Sequence, residues 1–239
     1  MPVESKHHKK LLKEIKQLAE KDPFDTEQRA DYAGHKDKTY SLSNPQLRKI
    51  AKSWAEKNKS IELEEYINLL NSIYQKGETS TEKYLAGYLL EYMPKLRKEL
   101  NPRLLDKWLE NLTGWAQVDS LCQSKFSSND LFNQWDKWKN LLSSLNKSAN
   151  INKRRASLVL LTKPVRDSKD EKFTKLAFEN IDSLKTEKDK LITKAISWLL
   201  REMVKLHSKK VKNYLEENKQ NLPAIAVRET TRKLQTGKK

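Results

Sequence analysis

The sequence predicts an all-α chain of short helices packed as antiparallel neighbours, either a compact bundle or a helical-repeat solenoid. Three observations carry this expectation. Apolar residues recur at helical spacing through most of the 239 residues; glycine is confined to Gly34, Gly77, Gly87, Gly114 and Gly237; and the alternation of a half-buried strand is nearly absent. Without strands, helices can bury their apolar stripes only against one another.

Taken in order, helices are expected over 6–21, 44–57, 61–75, 80–93, 102–112, 114–125, 129–146, 151–162, 169–184, 187–206, 208–219 and 223–234. Asn44-Pro45 and Asn101-Pro102 each place a capping side chain before a proline suited to a first helical turn. Gly77 and Met93-Pro94 read as stops. Connections of a few residues force neighbours to run antiparallel, and helix pairs recur about every 40 residues, the spacing of HEAT-type units. The loop-rich interval from Asp22 to Asn44 is polar but carries Tyr32 and Tyr40, so it is not read as a linker. A single domain over 1–239 is expected, with 1–8, including His7-His8, and 235–239 loose at its ends.

Composition narrows the function. The single cysteine, Cys122, excludes an internal disulfide, and it lacks a neighbouring base that would make it a nucleophile. The histidines, His7, His8, His35 and His207, show no metal-ligand spacing, so neither metal nor cofactor is expected. No apolar run approaches the roughly 18–20 residues of a membrane span. The basic start lacks the apolar centre of a signal peptide, which makes a cytoplasmic location the expectation. Lys and Arg exceed Asp and Glu by 48 to 32, and 201–239 alone holds 11 basic against 4 acidic residues. Such an excess favours a polyanion, since each phosphate contact releases condensed counterions.

Three clusters are candidates for chemistry. In "LTGWAQVDSL", 112–121, Trp115 and Asp119 share a helix face four residues apart; that face is either core with an acid at its edge or a site for something cationic. In "NINKRRASLVL", 150–160, Arg154 and Arg155 fall in the first turns of an apolar helix, where they either grip a phosphate or lie solvated. In the helix over 187–206, Lys194, Arg201 and Lys205 form a strip beside an apolar face, with Trp198 at its boundary. Trp198 either extends the core or packs on nucleic acid. A glycine-rich phosphate loop, a serine elbow and a His-Glu metal motif are all missing.

Together these clusters resemble the AlkD family of DNA glycosylases, which carries a Trp-x-x-x-Asp pair, a later Arg-Ala pair and a Lys-Ala-Ile-x-Trp-x-Leu-Arg-Glu run. Here they stand as Trp115 with Asp119, Arg155-Ala156, and Lys194-Ala195-Ile196-Ser197-Trp198-Leu199-Leu200-Arg201-Glu202. Weaker similarity runs from about Tyr32 to Leu234. The resemblance implies a HEAT-like solenoid with a concave basic face. The implied activity is monofunctional hydrolysis of the N-glycosidic bond of cationic N3- or N7-alkylated purines in duplex DNA, without base flipping. Asp119, Trp115 and Trp198 are then expected at the reaction; Arg155, Arg154, Lys194, Arg201, Lys205 and Tyr32 are expected on DNA. A cofactor-free, nucleoid-associated monomer completes the picture. Two positions depart from the family: Ala116 stands where an acid usually follows the tryptophan, and Asn152 where a tryptophan precedes the arginine. The rival readings are a helical-repeat module that binds damaged or branched DNA without chemistry, and a scaffold for an acidic protein.

Overall fold

The structure, a computed structural model, describes residues 5–25, 34, 37–123 and 125–238. Within them the chain is all-helical, as a helical-repeat fold requires, and contacts sort it into two compact units, Met1–Leu121 and Cys122–Lys239.

In the first unit the helices are α1 (Lys6–Lys21), α2 (Asn44–Lys57), α3 (Leu63–Lys76), α4 (Ser80–Tyr92), α5 (Pro94–Glu99), α6 (Leu104–Glu110) and α7 (Gly114–Cys122, its last residue counted with the second unit). Ser43 and Gln46 close a capping box at the start of α2, and Thr79 with Glu82 closes another at α4; each satisfies donors that a helix start otherwise leaves unpaired. The capping side chain of α2 is thus Ser43, one residue before the expected Asn44. Pro94, read as a stop, also opens the six-residue α5, because a proline at the first helical position loses no hydrogen bond. Fully buried Leu11, Ile15, Tyr66, Leu70, Ile73 and Trp108 form the centre of the core, with Trp108 stacked on Tyr74 at 5.1 Å.

His8 departs from the expected loose terminus. It is 2% exposed, with Nδ1 2.8 Å from Ser72 Oγ and Nε2 2.7 Å from Glu82 Oε1. The apolar pair Leu11 and Ile15 draws α1 onto α3, and His8 lies one turn before Leu11 on the same face.

The second unit holds α8 (Ser128–Asn133), α9 (Trp135–Asn146), α10 (Ile151–Asp167), α11 (Glu171–Leu184), α12 (Lys190–Asn218) and α13 (Ala224–Thr236). The expected helix over 129–146 is broken at Gln134, whose φ of −137° is not helical; the break lets both Phe132 and Trp135 set their rings edge-on to Phe173, at 5.0 and 5.5 Å. α10 runs on through Pro164 to Asp167 because buried Leu161, Thr162, Pro164 and Val165 reward continuation near its end. The expected interruption between 206 and 208 is present inside α12: His207 has φ −130° and its Nε2–H donates to the Ser168 carbonyl at 2.9 Å. α13 continues two residues beyond expectation, to Thr236, and is closed by Gly237 in the left-handed region. α10 and α12 share the most extensive contact of this unit, and Leu158 and Leu161 of the one and Ile192, Ile196 and Leu199 of the other are fully buried. No described helix is long and apolar enough to cross a membrane.

Candidate active site

α7 begins where Gly114 turns the chain with φ +69°, a left-handed conformation that costs other residues about 1–2 kcal/mol. Gln117, 1% exposed, folds back so that its Oε1 accepts the Thr113 N–H at 2.9 Å. One helical turn of spacing puts Trp115 and Asp119 on one face, as expected. Trp115 is half-buried and Asp119 is only 8% exposed. Asp119 is therefore not the solvated acid that an isolated helical aspartate usually is.

Two glycines lie against α7, and the second fixes how closely it is approached. Gly34 has φ +74°, and a Cβ there would stand 3.4 Å from Trp115 Cδ1 and 3.7 Å from Gly114 Cα, so bare backbone runs along the indole edge. On α4, a Cβ at Gly87 would lie 2.3 Å from Ser120 Oγ and 2.5 Å from the Ser120 carbonyl oxygen. Only hydrogen fits between these helices.

Asp37 links the same two helices from outside. Its Oδ2 accepts from Gln117 Nε2 at 2.7 Å, from Thr113 Oγ1 at 3.0 Å and from Lys83 Nζ at 3.0 Å. The residues after it are joined to the start of α4: the Ser80 N–H donates to the Lys38 carbonyl at 3.0 Å, and the Tyr40 N–H to Thr81 Oγ1 at 2.9 Å. Burial pushes the Asp37 carboxyl up, but the hydrogen bonds from Gln117 and Lys83, the Lys83 charge and the Thr113 hydroxyl outweigh it. Together they hold the group below its ordinary value of 3.8. A carboxylate thus reaches the first turn of α7, where negative charge suits the helix dipole, although Ala116 supplies none. Sequence reasoning missed Asp37, Gln117 and Gly87; the scarcity of glycine is the one signal that singles out Gly34 and Gly87.

In the second unit Asn150 caps α10, accepting the Asn152 N–H at 2.9 Å. Arg154 Nη1 donates to the carbonyls of Ser148 and Ala149 at 2.8 and 2.9 Å, and its Nε lies 2.8 Å from Glu187 Oε1. Arg155 is 5% exposed, and its Nη1 donates to the Leu191 carbonyl in the first turn of α12 at 2.7 Å. On α12, half-buried Trp198 donates its indole N–H to Glu202 Oε1 at 3.0 Å, while Glu202 Oε2 lies 3.4 Å from Arg166 Nη1. That contact fixes the ring and gives Glu202, which the sequence placed in the family-like run without a role, a part in holding Trp198. Arg201 lies 3.4 Å from Glu229 and donates to the Ser197 carbonyl at 3.2 Å. Lys194 and Lys205 are exposed.

The candidate residues thus fall into two sets. Trp115 and Asp119 share one face in the first unit; Arg154, Arg155, Lys194, Trp198, Arg201 and Lys205 belong to the second. Of the cations expected on DNA, Arg154 and Arg201 have carboxylate partners within the protein, whereas Lys194 and Lys205 face water. Tyr32 lies outside the described residues. Chemically, a carboxylate withdrawn from water beside an indole attracts a cation more strongly than a surface acid does, because solvent screens it less.

Residues 12–234 match the family model described as DNA alkylation repair enzyme. Among solved structures, the chain is similar to a predicted DNA alkylation repair enzyme from Enterococcus faecalis, with TM-score 0.72 and 18% identity over 87% of this chain and 94% of that one. At that identity the likeness speaks for the fold. No curated protein matches the sequence.

Proposed function

Because the chain belongs to the DNA alkylation repair enzyme family, we propose that it is a monofunctional DNA glycosylase, hydrolysing the N-glycosidic bond of cationic N3- and N7-alkylated purines in duplex DNA. The observation that carries this reading is Asp119: a carboxylate 8% exposed, on one helix face with a half-buried indole. Burying a carboxylate has a desolvation cost that a plain surface acid avoids. At a site where positive charge develops, that same desolvation strengthens its effect.

An alkylated purine carrying a positive charge leaves as a neutral base, taking the bonding electron pair and leaving an oxocarbenium-like deoxyribose. So good a leaving group needs little general-acid help, which is why one carboxylate suffices where ordinary glycosidases use two. Asp119 places its charge against the sugar's developing cation, orients the water whose oxygen bonds to the anomeric carbon, and takes the proton that water loses before passing it to solvent. Trp115 and Trp198 pack on sugar and backbone, each contributing about 0.5–2 kcal/mol through the ring face. Arg155 holds a phosphate beside the lesion, and Lys194 and Lys205 supply sequence-independent affinity. In this reading the lesion is handled at the DNA surface rather than rotated into a pocket, so bulky adducts are accepted.

The test is release of free base from a duplex carrying 7-methylguanine, for the wild type beside Asp119→Asn. Release by the wild type alone supports the reading. No release, with duplex binding intact, would instead make the protein a non-catalytic binder of damaged DNA.

A further inference from the structure

We infer that Asp37 is a positioning residue for this site, a latch that sets where α7 holds Trp115 and Asp119; the inference rests on the glycosylase reading given above. Asp37 lies 82 residues before Asp119 in sequence, yet one of its oxygens receives a donor from each side of the joint. Lys83 comes from α4, and Thr113 and Gln117 come from the start of α7. Gln117 stands between Trp115 and Asp119 in sequence, and both ends of its amide are engaged: Nε2 donates to Asp37 while Oε1 accepts the Thr113 amide. Its rotamer is therefore not free, and neither is the first turn that carries Trp115.

The latch acts at one end of α7 while Gly87 governs the other, where the Ser120 backbone rests directly on α4. Two attachments about a turn and a half apart fix both the position of a short helix and its rotation about its axis. Rotation matters here, because Trp115 and Asp119 act from one face. Lys83 is 7% exposed, so a charged partner is what lets it lie buried at this joint. The segment 37–40 is itself tied to α4 through Ser80 and Thr81, which makes the latch an extension of α4 rather than a loose loop end.

Three variants separate positioning from simple stability. Asp37→Ala removes the whole junction. Asp37→Asn keeps its shape and a carbonyl oxygen for Gln117 while losing the charge opposite Lys83. Gln117→Ala removes the shorter of the two links to α7 and frees the Thr113 amide, while leaving Asp37 paired with Lys83 and Thr113. The expected result is a fall of about 10–100-fold in kcat for Asp37→Ala and Gln117→Ala, as misplacement by an ångström can cause. KM and duplex affinity should stay within roughly twofold, because the exposed cations that bind phosphate are untouched. Asp37→Asn should recover part of the loss, and Asp37→Ala combined with Gln117→Ala should be no slower than the worse single variant, since both break one connection. Hydrogen exchange should quicken in the amides of 113–119 and not in those of α12. Wild-type kcat in a folded Gln117→Ala protein overturns the inference, and so does multiplicative loss in the double variant. If the wild type releases no base, the glycosylase reading fails on its own; unaltered exchange over 113–119 in Gln117→Ala then overturns the latch as well, and selective quickening upholds it.

Discussion

Replacing Gly87 by alanine puts helix propensity and packing in opposition. Inside a helix a glycine costs about 1 kcal/mol relative to alanine, so propensity alone predicts that Gly87→Ala stabilises. The new methyl would lie 2.3 Å from Ser120 Oγ and 2.5 Å from the Ser120 carbonyl oxygen. The hydroxyl can rotate away, but the carbonyl belongs to the backbone of α7. Restoring a 3.4 Å contact requires that backbone to retreat by about 0.9 Å. Overpacking of this kind costs about 1–3 kcal/mol, and a backbone obstacle belongs at the upper end. The net is a loss of about 2 kcal/mol, or roughly 4–8 °C in Tm for a chain of this size. The same displacement moves Trp115 and Asp119 by a comparable distance and should slow base release by up to about 10²-fold. Thermal melting and single-turnover release from a 7-methylguanine duplex measure the two effects. A variant that melts at or above the wild-type temperature and turns over at the wild-type rate would refute the claim that α4 and α7 meet backbone to backbone at this point.

Two further outcomes follow from the same contacts. Burial pushes the Glu82 carboxyl up, but hydrogen bonds from His8 and Thr79 outweigh this and hold it below its ordinary value of 4.5; its stabilisation is therefore complete above that value and is lost as pH falls through the lower folded one. Glu82→Gln should destabilise the first unit by about 1–3 kcal/mol at neutral pH and flatten the acid limb of stability below 4.5, and an acid limb identical to the wild type's would show that another carboxylate governs it. Arg155→Ala should weaken duplex binding and lower its salt dependence by about one phosphate's worth. Loss of stability with an unchanged salt slope would mean that Arg155 serves the fold, through contacts such as that with the Leu191 carbonyl, and not DNA.

What the sequence reveals and what it conceals divide along local and distant causes. The capping boxes at Thr79 and Ser127 and the apolar stripes of α2, α3 and α12 act within a few residues, so helix existence was legible almost throughout. The interruption at His207 agrees with the expected break between 206 and 208. The non-helical Gln134 was not legible: the rings on either side of it, Phe132 and Trp135, both meet Phe173, more than thirty residues on. The helix expected over 151–162 runs five residues further for the opposite reason, since burial around Pro164 outweighs the local preference of a proline to stop a helix. At the site, spacing put Trp115 and Asp119 on one face, but only tertiary structure shows that Asp119 is withdrawn from water. Asp37 lies in a polar interval with no periodicity, and its partners are 46, 76 and 80 residues away; no local pattern points to it. Arg154 and Arg201 were indistinguishable in sequence from Lys194 and Lys205, and the difference is made by Glu187 and Glu229.

The central claim is that Asp119 stabilises charge at a breaking glycosidic bond. It is tested most directly by single-turnover release of 7-methylguanine from duplex DNA by wild type and Asp119→Asn, with duplex affinity measured on the same preparations. The account predicts release by the wild type, a loss of about 10²-fold or more in the variant, and affinity preserved within a few-fold. Equal rates in the two proteins, or no release by either, would contradict it.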